Sequence, residues 1–162
     1  MPTVKDFITE NGCIPSPIFQ SIFVAFIEIL RSNYADENTF NEQLYSLGLK
    51  IGEAVYFDLL SYLPKFNAKH IKEFLRSIYA GITGNLNPLV KEDENKFLIV
   101  EDNCPICKNM KAITSKGLKI CNFIPGIIDQ IMEMSGIKTK SWELNCMGVG
   151  DSQCIFEIKI IK

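Results

Sequence analysis

Histidine is almost missing from this sequence: His70 is the only one in 162 residues. That removes the commonest general base and metal ligand from most of the chain. His70 itself stands in "NAKHIKEF", at the polar start of a predicted helix, and reads as a surface residue. Arginine is nearly as scarce, with only Arg31 and Arg76, so few planar forks are on hand to read phosphates or base edges. A net charge of -2 supplies no field to draw in nucleic acid or an anionic membrane, and direct nucleic acid binding is set aside. No P-loop, dinucleotide fingerprint or nucleophile elbow occurs. Long hydrophobic runs are lacking too. The most apolar stretch, "IFQSIFVAFIEIL" from Ile18 to Leu30, contains Gln20 and Glu28 and falls short of the ~20 residues of a membrane span. The opening "MPTVKDFITENG" lacks the basic and then apolar pattern of a secretion signal. The expectation is a cytoplasmic protein with no membrane partner.

What the chain does have is cysteine. Five of its six cysteines fall between positions 104 and 154. In a reducing compartment thiols stay free, so the cluster points to metal or redox chemistry ahead of structural disulfides. Cys104 and Cys107 form Cys-x2-Cys in "NCPICK", Cys121 opens a predicted helix, and Cys146 and Cys154 flank a predicted hairpin turn. A soft tetrahedral Zn²⁺ needs about four such ligands, and thiolates on short turns and strand ends supply them with little extra backbone ordering.

The rest of the chain reads as helices followed by strands. Pro15 and Pro17 open a first helix running to about Ser32. Its apolar residues cover most of the circumference, which fits either a partner subunit or a place at the centre of the core. A second helix runs from about Thr39 to Leu63 and is closed by Pro64, with Leu44, Leu47, Ile51, Val55 and Leu59 as its apolar stripe. Gly48 and Gly52 share one face of it and predict close approach by another element. A third helix spans about Ala68 to Ile82. Two β-type runs, Leu86 to Lys91 and Lys96 to Asp102, surround the polar "EDEN". "NFIPGIIDQIMEMSG" is a fourth helix, and Ile137 to Cys146 with Cys154 to Ile161 is a closing hairpin. The class is α+β, helices packed on a mainly antiparallel sheet, in one domain over 1-162 with residues 1-14 as an N-terminal extension.

Six candidate ligands compete for four places once Glu143 is counted with Cys104, Cys107, Cys121, Cys146 and Cys154. In a regular strand Glu143 and Cys146 point to opposite faces, because their spacing is odd. Glu143 joins Cys146 on a metal only if a bulge or the strand's end re-aims one of them. Periodicity alone favours Cys104 and Cys107 in its place.

"YSLGLKIGEAVYFDLL", "CNFIPGIIDQIMEMSG" and "WELNCMGVGDSQCIFEI" together resemble the V4R (4-vinyl reductase) domain family, over most of the chain from about residue 15. The family is related in fold to Bet3-type trafficking subunits and to the sensory domains of phenol-responsive activators. The resemblance implies helices on a twisted antiparallel sheet, a homodimer formed through helices, and an apolar pocket for a small apolar or aromatic ligand. It also implies a structural zinc on Cys121, Glu143, Cys146 and Cys154, which goes against the periodicity of Glu143. The extra Cys104 and Cys107 depart from the pattern: they can displace Glu143, hold a second metal or form a redox couple.

The function expected is that of a zinc-containing small-molecule-binding or sensor domain. Phe23, Phe26, Tyr56, Phe57, Phe74 and Tyr79 are its candidate pocket residues, although a helical stripe of Phe and Tyr is also what plain core packing looks like. No catalytic residue stands out. The alternatives are an accessory factor or enzyme of tetrapyrrole 4-vinyl reduction, for which no group to bind a hydride source is apparent, and a thiol redox sensor using Cys104 and Cys107.

Overall fold

The computed structural model describes residues 3–11, 16–34, 36–65, 70–107 and 118–161; Cys13 lies outside them. Among the described residues, five α-helices and four strands follow in the order α1 (Val4–Asn11), α2 (Ser16–Asn33), α3 (Glu37–Leu60), α4 (Ile71–Thr83), β1 (Leu89–Asp93), β2 (Lys96–Glu101), α5 (Phe123–Met134), β3 (Thr139–Asn145) and β4 (Cys154–Ile160). The strands form one antiparallel sheet in the order β1-β2-β4-β3. The helices pack against it, so the expected α+β class is what the chain adopts. Among the described residues, no helix is long and apolar enough to cross a membrane.

Local chemistry sets the boundaries. Helix α3 starts two residues earlier than its apolar stripe suggests, because Asp36 caps it: its Oδ2 accepts from the Thr39 amide at 2.7 Å and the Thr39 hydroxyl at 2.8 Å. The predicted hairpin turn is narrower than "EDEN". Glu92 and Asp93 stay in β1, and only Glu94 and Asn95 turn, Glu94 taking a left-handed φ of 50°. Helix α1 falls in the expected N-terminal extension. It packs on α4 and buries Val4, but eight residues carry too little apolar period to be read from sequence.

The core centres on α5, which is buried along most of its length. Helix α3 lies against it, and β3 and β4 cover another side. Strand β4 alternates as a one-sided strand should, turning Cys154, Phe156 and Ile158 inward. Strand β3 is unusual because its inward residues, Ser141 and Glu143, are polar. Asp129 of α5 answers the first of these. Its carboxylate accepts from the Thr139 hydroxyl at 2.6 Å, the Ser141 amide at 2.8 Å, the Ser141 hydroxyl, and Tyr45 Oη of α3 at 2.6 Å. Four donors on one buried carboxylate join α3, α5 and β3 and satisfy the charge locally. Glu143, the next inward residue, leads to the thiols.

Candidate metal centre and apolar cavity

Three separate stretches, the turn after β2, the start of α5 and the β3–β4 hairpin, bring the cysteines together. After β2, Glu101 holds the chain in place: its carboxylate accepts from the Asn103 amide at 3.0 Å, Asn85 Nδ2 at 2.6 Å and Tyr79 Oη at 3.4 Å, and the turn it fixes presents Cys104 and Cys107. Cys121 sits just before α5. Its segment is tied to α3 where the Lys119 amide donates to Asn41 Oδ1 at 2.9 Å and Asn122 Nδ2 to the Asn41 carbonyl at 2.8 Å. Cys146 follows β3, its amide donating to Asp151 Oδ2 at 2.7 Å. Cys154 begins β4 and receives the Met147 amide on its Sγ at 3.3 Å.

The odd spacing of Glu143 is corrected by a bulge. Glu143 pairs with Phe156 and Asn145 with Ile155, so β3 spends an extra residue, Leu144, on one step of β4. Lys119 Nζ donates to the carbonyl of Leu144, which gives the bulged backbone a partner. Past this irregularity Glu143 and Cys146 face the same way. The ligand atoms of Cys121, Glu143, Cys146 and Cys154 all lie within 4.8 Å of one another, and so do those of Cys104, Cys107, Cys121 and Cys154. The sulfurs of Cys107 and Cys154 stand at 3.3 Å and those of Cys104 and Cys121 at 3.8 Å.

All five thiols have 0% exposure and Glu143 only 3%, so water cannot offset charge here. Neighbouring thiols decide which proton leaves first. Cys104 and Cys146 are held low, each chiefly by a hydrogen bond with Cys107, whereas Cys107, Cys121 and Cys154 are pushed up, each chiefly by its contact with Cys104. Burial first, and then the charge of Cys146, push the Glu143 carboxyl up. One Glu143 oxygen, Oε2, accepts from the Cys121 amide at 3.0 Å; the other, Oε1, is buried without a hydrogen-bond partner. Soft sulfur donors beside a spare carboxylate oxygen make a donor set able to hold a tetrahedral metal ion.

Away from the thiols, α2, α3, α4 and α5 border a half-open cavity of about 350 Å³, lined by Phe23, Phe26, Leu47, Ile51, Val55, Leu59, Gly81, Ile82, Phe123 and Ile127. Of the six aromatics proposed for a pocket, Phe23 and Phe26 line it. Tyr56 instead donates from Oη to the Met134 carbonyl at 3.1 Å, Phe57 is 72% exposed, Phe74 is buried in the core, and Tyr79 packs on Phe156 beside the thiols. The α3 stripe supplies most of the aliphatic wall. Cavity and thiols are joined by a short piece of chain: Cys121 turns to the sulfurs, and two residues on Phe123 meets Phe23 in a tilted ring contact, centroids 5.0 Å apart.

Some residues of the site had no visible signal. Gly148 is one: a Cβ there would stand 3.1 Å from Cys107 Cβ and 3.5 Å from Cys146 Sγ, so its bare backbone lets the "NCPICK" turn and the hairpin turn meet. Asp151 and Lys119 stand near ligands in the sequence and Asn41 far from them, and the hydrogen bonds by which they position those ligands form only in the fold. The pair of glycines in "MGVGD" hints at the first of these only.

A family model, Transport protein particle (TRAPP) component, matches residues 19–161. Among curated proteins the chain is 28% identical over 156 residues to the uncharacterized protein MJ0150 of Methanocaldococcus jannaschii, covering 94% of this chain and 79% of that one. Among solved structures it is similar to a trafficking protein particle complex subunit 3 of Naegleria fowleri, covalently bound to palmitic acid. The TM-score is 0.78 at 20% identity, over 91% of this chain and 95% of that one. A vinyl-4-reductase family protein of Methanocaldococcus jannaschii aligns at a TM-score of 0.49 and 21% identity, over 99% and 91%, a likeness too slight to carry the V4R assignment.

Proposed function

The chain belongs to the Transport protein particle (TRAPP) component family, and on that footing we propose that it binds a small apolar molecule in the cavity between its helices, beside a structural zinc in the thiol cluster. The observation that carries this reading is the cavity. It falls at the small end of the ~300–1,000 Å³ range of small-molecule sites, and every residue of its described lining but Gly81 is an apolar side chain. Palmitic acid in the subunit from Naegleria fowleri supports an acyl chain, or an aromatic of similar bulk, as the class of occupant. The described lining carries no thiol, hydroxyl or amine, so the occupancy proposed is by contact and not by a covalent link.

The zinc set proposed first is Cys121, Glu143, Cys146 and Cys154, with Cys104 and Cys107 as alternative ligands. Four protein ligands close the ion off from substrate and make it structural. Self-association through helices is part of the reading: α2 leaves Ile18, Ile22 and Ile29 exposed at spacings of four and seven, an apolar stripe suited to a second copy. A cytoplasmic setting would keep the thiols reduced.

The test is displacement of a fluorescent fatty acid by palmitate and by simple aromatics. Ile51→Trp, which replaces an aliphatic wall residue by a bulky indole, is expected to abolish binding while leaving the fold intact by circular dichroism; binding unchanged by this substitution overturns the reading.

A second reading, thiol redox sensing, has one observation in its favour: the sulfurs of Cys107 and Cys154 stand at 3.3 Å, a pair other than the Cys104 and Cys107 couple read from sequence. Peptide mapping after mild peroxide tests it, a disulfide linking Cys107 to Cys154 being the supporting result. The tetrapyrrole reading rests on the V4R resemblance alone.

A further inference from the structure

We propose that the thiol cluster is a two-metal site, in which Cys121 and Cys154 bridge two zinc-class divalent ions, Cys104 and Cys107 complete one ion, and Glu143 and Cys146 complete the other. The inference rests on the metal reading above and deepens it.

The two sets of four ligand atoms share Cys121 and Cys154. A tetrahedral ion with metal–sulfur bonds of about 2.3 Å holds its ligands roughly 3.8 Å apart, and each set, all within 4.8 Å, is already near that span. One tetrahedral ion takes four of the six donors. If it took the Cys104 set, Glu143 and Cys146 would stay buried and idle, with Oε1 of Glu143 still lacking a partner, which is costly for a buried oxygen. If it took the Glu143 set, Cys104 and Cys107 would be two idle thiols pressed against bound sulfurs, Cys104 at 3.8 Å from Cys121 and Cys107 at 3.3 Å from Cys154. Two ions give every donor a place, and the number of side chains present is the number that two bridged tetrahedra require.

The surroundings fit the same division. The pairs that complete each ion come from different turns, one after β2 and one at the end of β3. Gly148 allows those turns to approach, since a Cβ there would press on Cys107 Cβ at 3.1 Å and lie 3.5 Å from Cys146 Sγ. Cys154 accepts the Met147 amide at 3.3 Å, a bond that stabilises sulfur carrying negative charge. The Cys121 amide holds Oε2 of Glu143 and leaves Oε1 as the donor. With five thiolates and a carboxylate, one ion leaves a residual charge of -4 if all are ionised, whereas two leave -2. Buried charge of the first size is far costlier.

The experiment is native mass spectrometry of the metal-free chain titrated with Zn²⁺ under reducing conditions, together with zinc-edge X-ray absorption. Two ions per chain with a metal–metal scattering path are expected, falling to one ion with no such path in Cys104→Ser/Cys107→Ser and likewise in Glu143→Gln/Cys146→Ser. One ion at saturation in the unaltered chain overturns the proposal and leaves the single-zinc reading standing. Two ions without metal–metal scattering overturn the bridging. No ion at all ends both readings. The unaltered chain decides these outcomes even where a variant does not fold.

Discussion

Gly48 of α3 and Gly126 of α5 cross with no room for a methyl group between them. A Cβ added to Gly126 would lie 3.0 Å from Gly48 Cα and 2.2 Å from the Tyr45 carbonyl oxygen; one added to Gly48 would lie 2.9 Å from Gly126 Cα. The obstacles are backbone, which cannot swing aside. Gly126→Ala should therefore destabilise the protein by about 3 kcal/mol and lower Tm by roughly 6–12 °C. An unchanged melting curve would show that the two helices do not pack this way.

Tyr45 gives a pH dependence. Burial, and then its bond to the Asp129 carboxylate, push its phenol above the usual value of 10.0. A group raised on folding contributes stability that is complete below its unfolded pKa and is lost as pH rises through the folded one. Urea unfolding should show stability declining from about pH 10 upward, and Tyr45→Phe should decline less over the same window. At pH 8 the variant should also be weaker by about 1 kcal/mol, from loss of the bond to Asp129. Equal pH slopes would contradict the assignment.

Metal removal should loosen one region first. The ligands hold the turn after β2, the start of α5 and the β3–β4 hairpin, so chelation should speed amide exchange in those segments well before α3 responds. Free zinc a thousandfold above Kd should add about 4 kcal/mol of stability. Cys154→Ser should abolish that gain, and its retention would place the ion elsewhere.

The cavity predicts a chain-length series. Burying one methylene contributes about 0.8 kcal/mol, close to fourfold in Kd. Affinity for saturated fatty acids should climb by about that factor per carbon and then level off when the cavity is full. A flat series would point to surface adsorption.

Much of this was readable in the chain, and the exceptions have identifiable causes. The α+β order, the crossing at Gly48 and the gathering of cysteines in the second half follow from periodicity, glycine placement and spacing. Glu143 did not yield to periodicity, because the inserted Leu144 and its partner Lys119, 25 residues away, reverse the face that alternation assigns. The cavity was legible only through Phe23 and Phe26, which line it, and for a different reason. Large aromatics such as Phe74 and Tyr79 are good core fillers and occupy the core, whereas the hollow lies beside the aliphatic residues Leu47, Ile51 and Val55. That stripe is visible in the sequence, but nothing local says that α2 stands off from it. Asp36 as a helix cap was present in "ADENT" and sets the start of α3.

The most direct test of the account is a native mass spectrum of the chain freshly purified from cells, followed by collisional release. The account predicts an apolar small molecule travelling with the chain and missing from Ile51→Trp. A bare chain that also takes up no fatty acid when offered one, and in this is the same as Ile51→Trp, would contradict it.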